Sequence, residues 1–292
     1  MNPEPAALHP LPVFETVAAL RDQAGAWHGQ GERIVLVPTM GALHEGHCAL
    51  VAHARTLGER VVASIFVNPT QFGPTEDFSR YPRTIEADLA ALAQAGADAA
   101  YLPSPETMYP PGFSSRIEPG GPSEGLCGEV RPGHFSGVAT VVTKLINQSR
   151  ADIALFGEKD FQQLQVIRRV TRDLDLPVAI AGMPTIREPD GLALSSRNRY
   201  LSEAERSIAP RLHAVLAETA QQLADGRAAA PLLADGIAAL NAAGFGPVQY
   251  LELRDSETLA PVAGVERPAR LLTAAYLGTT RLIDNVAVLP RA

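Results

Sequence analysis

Nearly continuous apolar runs alternate with amphipathic stretches through most of the chain. "RIVLVPT" (Arg33–Thr39), "RVVASIFVN" (Arg60–Asn68), "DAAYLP" (Asp98–Pro103), "ADIALFG" (Ala151–Gly157) and "PVAIAGMPTI" (Pro177–Ile186) read as strands. Helical periodicity lies between them at about Cys48–Leu57, Ile85–Ala95, Val138–Ser149 and Asp160–Leu174. Val/Ile/Ala strands without in–out alternation, separated by amphipathic helices, predict an α/β fold whose parallel sheet is covered on both faces. Ligands of such sheets bind beyond the carboxyl ends of the strands. Three polar clusters fall there, "PTMGALHEGH", "NPTQF" and "FGEKDFQQ", so a single cleft is expected.

Between the third run and the next helix lies a Pro/Gly-rich stretch, "PSPETMYPPGFSSRIEPGGPSEGLCGEVRPGHFSGV", too long for a mere connector and expected to be a functional loop or flap. After Leu201 the pattern changes. Ala-rich helices around Glu203–Asp225 and Pro231–Ala243 precede strand-like "VQYLELRD", "ARLLTAAYLG" and "RLIDNVAVL". The expected division is residues 1–184 as the parallel-sheet domain and 185–292 as a smaller C-terminal α+β domain.

Composition narrows the function classes. With 46% hydrophobic and 20% charged residues the chain is ordinary for a globular protein. A net charge of −7 argues against broad contact with nucleic acid or an anionic membrane. The N-terminal "MNPEPAALHPLPVF" has no basic n-region and no long apolar core, so no signal peptide and a cytoplasmic location are expected. Cys48 and Cys127 stand far apart without a CxxC, against a disulfide scaffold or a cysteine-built zinc site. Only Lys144 and Lys159 are lysines among 25 basic residues. Lys159, at the end of a strand, is therefore singled out as a mobile point charge suited to a phosphate; Lys144 reads as a surface lysine.

His44 and His47 are the other candidates. The pair reads in three ways: half of a zinc site, polar helix surface, or part of an anion site. Their spacing of three puts both rings on one side of a helix, but HExxH spacing and a third ligand are missing from the zinc reading. A helix N-terminus offers free N–H groups and roughly +0.5 of an elementary charge, which favours phosphate and disfavours an imidazolium. Neutral histidines are therefore expected in the free protein and cationic ones beside a triphosphate.

At this point the residues carry a resemblance. "PTMGALHEGH" resembles the HIGH signature of class I nucleotidylyl transferases and aminoacyl-tRNA synthetases, and "LSSRN" (Leu194–Asn198) their later phosphate loop. Together with "FVNPTQF", "YPRT", "RPGHFSGVATVV", "FGEKDFQQL", "GLALSSRNRYLS" and "RLIDN", the chain resembles the pantoate–β-alanine ligase family in order across nearly its whole length. Leu194 stands where that family usually has Met, an exchange that conserves volume.

The resemblance implies a Rossmann-like parallel sheet of the HUP/nucleotidylyl transferase type, a C-terminal lid and a homodimer. It implies ATP, (R)-pantoate and β-alanine as substrates, with Mg2+ accompanying ATP, and an acyl-adenylate intermediate. Residues Met40, Gly41, Ala42, Leu43, His44, Glu45, Gly46 and His47 would line ATP, with His47 as proton donor. Gly157, Glu158, Lys159 and Asp160 would close on the nucleotide. Leu194, Ser195, Ser196 and Arg197 would hold phosphates, and Ile186 would sit by the adenine. Catalysis would rest on His47, His44, Lys159 and Arg197. Gln71 and Gln163 would take pantoate, Gln71 also β-alanine, whereas Gln162 and Gln165 read as surface glutamines. Asn68, Thr39 and Tyr81 are second-tier contacts, and His134 and Arg131 would shape a loop near the phosphates. Asp88 is either a magnesium-side carboxylate or an exposed helix acid. Two rival readings are an aminoacyl-tRNA synthetase, disfavoured by the acidic charge, and a non-catalytic nucleotide-binding module.

Overall fold

A computed structural model describes residues 11–74 and 76–291. The expectation about the N-terminus falls largely on residues 1–10, outside the described residues. Strands β1 (Val13–Phe14), β2 (Ile34–Thr39), β3 (Arg60–Ile65), β4 (Ala99–Tyr101), β5 (Ile153–Gly157) and β6 (Ala179–Met183) form one sheet in the order β1-β4-β3-β2-β5-β6. Every pairing in it is parallel.

The apolar runs are continuous because both faces of the sheet are buried. Ile34 and Leu36 pack on one face with Val62, Tyr101 and Phe156. Val35 and Val37 pack on the other with Val61, Ala63 and Leu155. Successive residues of a strand thus feed two separate cores, and polar residues enter only near the carboxyl ends, at Thr39 and Ser64.

Helices α1 (Val17–Gly29), α2 (Glu45–Ala54), α3 (Ile85–Ala95), α6 (His134–Ser149) and α7 (Phe161–Asp173) provide most of the cover, with short α4 (Pro105–Met108) and α5 (Leu126–Val130) between β4 and α6. Strand β1 and helix α1 were not anticipated from the sequence. The stripe of α1 is only Leu20, Ala24 and Trp27, one residue per turn amid alanines, so its periodicity is weak. Helix α2 starts at Glu45, earlier than the apolar pattern indicates, because His44 caps it with its own side chain.

The C-terminal part has helices α8 (Glu203–Ile208), α9 (Arg211–Ala224) and α10 (Ala229–Ala242) against an antiparallel sheet, β7 (Val248–Asp255), β8 (Ala269–Leu277) and β9 (Thr280–Val288). The expected helix at 203–225 is two helices, since Pro210 between them brings no N–H to the ladder.

The Pro/Gly-rich stretch is not a free flap. Met108 and Leu126 are buried, and Gln162 of α7 staples the segment from beneath. The Gln162 side chain accepts from Cys127 N at 2.9 Å and donates to the carbonyls of Pro122 at 3.1 Å and Gly125 at 3.2 Å. Gln165 donates to Ser256 O at 2.9 Å and so ties α7 to the C-terminal part. Both glutamines are therefore buried connectors, correcting the surface reading. Their polar ends escape burial costs by saturating loop backbone that α7 itself cannot reach. Gln162→Ala leaves those loop groups buried without a partner and should lower the free energy of unfolding by about 2 kcal/mol or more, measured by urea denaturation. An unchanged midpoint would refute the staple.

Candidate active site

The direction of winding reverses between β2 and β5. The chain leaves β2 for α2 and β3 on one side and leaves β5 for α7 and β6 on the other. Their carboxyl ends therefore diverge, and a crevice opens between the turn at 40–44 and the turn at 157–160. A cavity of about 220 Å³ sits there. Thr39, Met40, His44 and His47 line it from β2 and α2, while Gly157, Lys159, Asp160 and Gln163 line it from the other side. Segment 185–197 closes the third wall, and Val138, Val141, Val142 and Leu145 of α6 make an apolar floor.

The turn after β2 is held by a buried acid. Gly41 and Ala42 have φ of +79° and +51°, a left-handed pair that turns two amides inward. Asp88 of α3, 2% exposed, accepts from Ala42 N at 3.0 Å and Leu43 N at 2.8 Å, and from the Thr84 hydroxyl at 3.1 Å. A Cβ on residue 41 would lie 3.0 Å from Asp88 Oδ2, so only glycine fits.

That turn delivers two imidazoles whose tautomers are fixed by the backbone. Gly46 N donates to His44 Nδ1 at 3.1 Å, and His44 N donates to His47 Nδ1 at 3.3 Å. Both Nδ1 atoms are acceptors, so each neutral ring carries its proton on Nε2. The rings lie 4.1 Å apart between centroids, tilted by 39°. Burial, with Lys159 and Arg199 nearby, lowers His44 to about pKa 4. Burial, with His44 and Lys159, lowers His47 to about 3. Both are neutral near pH 7, as expected, although burial and neighbouring cations hold them so. Part of the helix N-terminus is already used, since the Gly46 amide is taken by His44.

Cations come from the other walls. Lys159 Nζ lies 3.7 Å from the carboxylate of Asp160. Burial opposes the charge on Asp160, but Lys159 and Arg197 outweigh it and hold its pKa below the ordinary value. Arg197 binds Asp77 through Nε at 3.1 Å and Nη2 at 2.9 Å. Burial works against that guanidinium, and Asp77 more than offsets it, raising its pKa. Ser195 accepts from Arg197 N at 3.3 Å, and Ser196 pairs with the Tyr81 hydroxyl at 3.2 Å. Arg199 donates to Leu43 O at 3.1 Å and fastens this loop to the histidine turn.

Gln71 is oriented before any ligand arrives. Its Oε1 accepts from Asn68 Nδ2 at 2.9 Å, and the Tyr109 hydroxyl donates to Asn68 Oδ1 at 2.8 Å. Asn68, 1% exposed, borders the cavity beside Gln71 and supports it.

The sequence profile of the pantoate-beta-alanine ligase family matches residues 12–287. The pantothenate synthetase of Paramagnetospirillum magneticum is 56% identical over 278 residues, 95% of this chain and 98% of that protein. The crystal structure of pantothenate synthetase from Thermus thermophilus superposes with a TM-score of 0.89 at 46% identity, covering 96% of this chain and all of that one. The pantoate-beta-alanine ligase of Francisella tularensis, complexed with beta-gamma ATP and beta-alanine, gives a TM-score of 0.80 at 34% identity over 94% of this chain and 97% of that one. The chain belongs to the pantoate–β-alanine ligase family.

Not every residue that the resemblance brings to the ligase's site lines the cavity. Met40, His44, Gly46, His47, Gly157, Lys159, Asp160, Ile186, Leu194, Ser195, Ser196, Arg197, Gln71 and Gln163 do. Gly41, Ala42 and Leu43 are buried beneath the turn, where the amide of Gly41 donates to the Thr39 hydroxyl and those of Ala42 and Leu43 to Asp88, and Glu45 is exposed outside the cavity. Glu158 is taken by Arg270 Nη2 at 3.0 Å. Asp88 is not an exposed helix acid: it is 2% exposed, and its two oxygens accept from the 42–43 backbone and from Thr84. What the sequence left unassigned was the α6 floor, whose apolar residues read simply as core.

Beyond Lys159 the cleft continues into a second chamber of about 360 Å³ under the C-terminal sheet, lined by Arg131, His134, Tyr250 and Arg281. Burial and Arg131 lower His134 to about pKa 4, so it too is neutral.

These values set the pH behaviour of the free ligase. Nuclear magnetic resonance should show His44 and His47 without protonation from pH 8 to about pH 5. Unfolded histidines accept protons below about pH 6.5 while the native rings refuse them. The stability these rings contribute is thus full above pH 6.5 and is lost as pH falls toward 3–4. Either ring titrating near 6.5 would contradict this electrostatic account.

Proposed function

We propose that this cleft joins (R)-pantoate to β-alanine with ATP through a pantoyl adenylate. The observation that carries the reading is the pair of backbone-fixed imidazoles, each with an Nε2 proton, lining one cavity with Lys159 and Arg197. Adenylation must bring a carboxylate against a triphosphate, and both are anions. The site answers with donors where negative charge gathers.

In the first step a pantoate carboxylate oxygen attacks the α-phosphorus. The bond from that phosphorus to the bridging oxygen breaks, and pyrophosphate leaves with the electron pair. Lys159 follows the bridging and α-phosphate oxygens, Arg197 and Ser195 and Ser196 meet the outgoing phosphates, and His44 and His47 donate from Nε2. His47 acts first as a hydrogen-bond donor; a triphosphate beside it raises its proton affinity and makes a fuller proton transfer accessible. In the second step the amine of β-alanine attacks the acyl carbonyl, the bond to the AMP oxygen breaks, and the nitrogen loses a proton. Gln71 and Gln163 hold the hydroxyls and carboxylate of pantoate, since each amide both donates and accepts.

Among the described residues no three His, Cys, Asp or Glu side chains converge as a metal set. Asp77 is committed to Arg197, and Asp88 to the turn. The residues therefore do not make a protein cage for magnesium, which enters as part of the MgATP substrate, bound mainly by phosphates and water. The reading includes residues 185–292 as a lid over the domain of residues 1–184, a homodimer and a cytoplasmic location, each supported by the family resemblance. Among the described residues no helix is long and apolar enough to cross a membrane.

Isotope exchange between pyrophosphate and ATP, with pantoate present and β-alanine absent, tests the reading. Exchange should require pantoate; its absence with ATP still bound would favour the non-catalytic module. His47→Ala should lower the exchange kcat by roughly 10²–10⁴. Gln71→Ala should act mainly on the KM for pantoate, and a defect confined to ATP would contradict its assignment.

A further inference from the structure

In the middle of strand β9 stand Asp284 and Asn285, two adjacent side chains buried at 3% exposure each. Asn285 spends both hydrogens of its amide on one turn. Its Nδ2 donates to Glu158 O at 2.9 Å and to Lys159 O at 2.9 Å. Its Oδ1 accepts from Arg270 Nε at 2.5 Å, and Arg270 also reaches the Glu158 carboxylate at 3.0 Å and stacks 4.1 Å over the Phe161 ring. The carbonyls on either side of the Lys159 Cα are thereby pinned from the C-terminal sheet.

Asp284 does the matching task on the other phosphate segment. It takes a bidentate grip from Arg187 at 2.7 and 2.9 Å and accepts from Asn285 N at 2.7 Å. Arg187 lies in the bridge with Ala193 that leads directly into Leu194–Arg197. Two adjacent residues of the C-terminal sheet thus hold both segments that carry the cations, Asn285 by two backbone carbonyls and Asp284 through the Arg187 side chain.

The geometry points to Asn285 as a positioning residue for Lys159, holding the 158–159 turn so that the ammonium meets the nucleotide only while the C-terminal sheet is seated. This inference rests on the phosphate role of Lys159 given above. A lysine stem has many rotamers, so a fixed turn decides where its ammonium spends its time. Positioning of that kind appears in kcat rather than in the affinity for pantoate, whose contacts lie elsewhere in the cavity.

The test compares Asn285→Ala, Lys159→Ala and the double variant in pantoate-dependent pyrophosphate exchange. Asn285→Ala should lower kcat on the order of 10²-fold with the KM for pantoate near that of the unaltered enzyme. In the Lys159→Ala background it should cost nearly nothing further, because residues acting through one group are not additive. Asn285→Asp keeps the volume and the Arg270 partner but turns an oxygen toward the two carbonyls, and it should behave like the Ala variant should that one fail to fold. A direct readout uses the two lysines of the chain, Lys144 and Lys159. After ¹³C-dimethylation, ATP should shift the Lys159 signal in the unaltered enzyme and much less in either Asn285 variant, with Lys144 unmoved as a check on folding. Losses that multiply in the double variant, or an unchanged Lys159 response, overturn the positioning role alone. Undiminished exchange in Lys159→Ala by itself overturns the phosphate role of Lys159 and the positioning role with it.

Discussion

The reversal of winding between β2 and β5 is the constraint on which the rest of the structure depends. Adjacent parallel strands that continued in one sense would cover the ends of β2 and β5 with connections. Here the connections part, and the crevice between them is left for a ligand. The histidine turn hangs from one lip and the Lys159 turn from the other. Buried on both faces, the strands give those lips a rigid base.

Charge in the crevice is arranged with economy. The histidines of the crevice are neutral donors, because burial makes an imidazolium costly there. Arginine carries fixed charge but is tied to a carboxylate, as in Arg197 with Asp77 and Arg131 with Glu76. Lys159, the flexible cation, has only the 3.7 Å approach to Asp160 among the described residues. The crevice therefore presents neutral donors, held arginines and one mobile ammonium, a set suited to the triphosphate of the proposed reaction. The mobile group is the one whose backbone the C-terminal sheet pins.

Buried polar side chains act mostly on backbone in this fold. Asp88 closes the 41–43 turn, Gln162 holds the loop at 122–127, and Asn285 holds the 158–159 turn. Each sits on a neighbouring element and satisfies amides or carbonyls that irregular backbone leaves open. Sequence reading misjudged Asp88 and Gln162 for one shared reason. An acid in "EADLAAL" or a glutamine in "DFQQL" looks exposed along its own helix, and only the partner loop shows otherwise.

The parallel sheet, its covering helices and the smaller C-terminal α+β part were legible along the chain, because burial on two faces writes continuous apolar runs and amphipathic helices write a stripe. The histidine turn, Lys159 and the Leu194–Arg197 loop could likewise be picked out as candidates by residue type, and the fold brings them to one cavity. Helix α1 escaped because its stripe is one residue per turn, and the break at Pro210 fell inside an Ala-rich pattern that continued past it. Tertiary structure alone decided which members of "MGALHEGH" face the cavity, since a left-handed pair at Gly41 and Ala42 turns Leu43 into the core and His44 outward. It alone decided the Nε2 tautomers and the hold of Asn285 on Lys159. Those depend on hydrogen bonds between residues brought together in space, in the last case 126 positions apart, which no local pattern encodes.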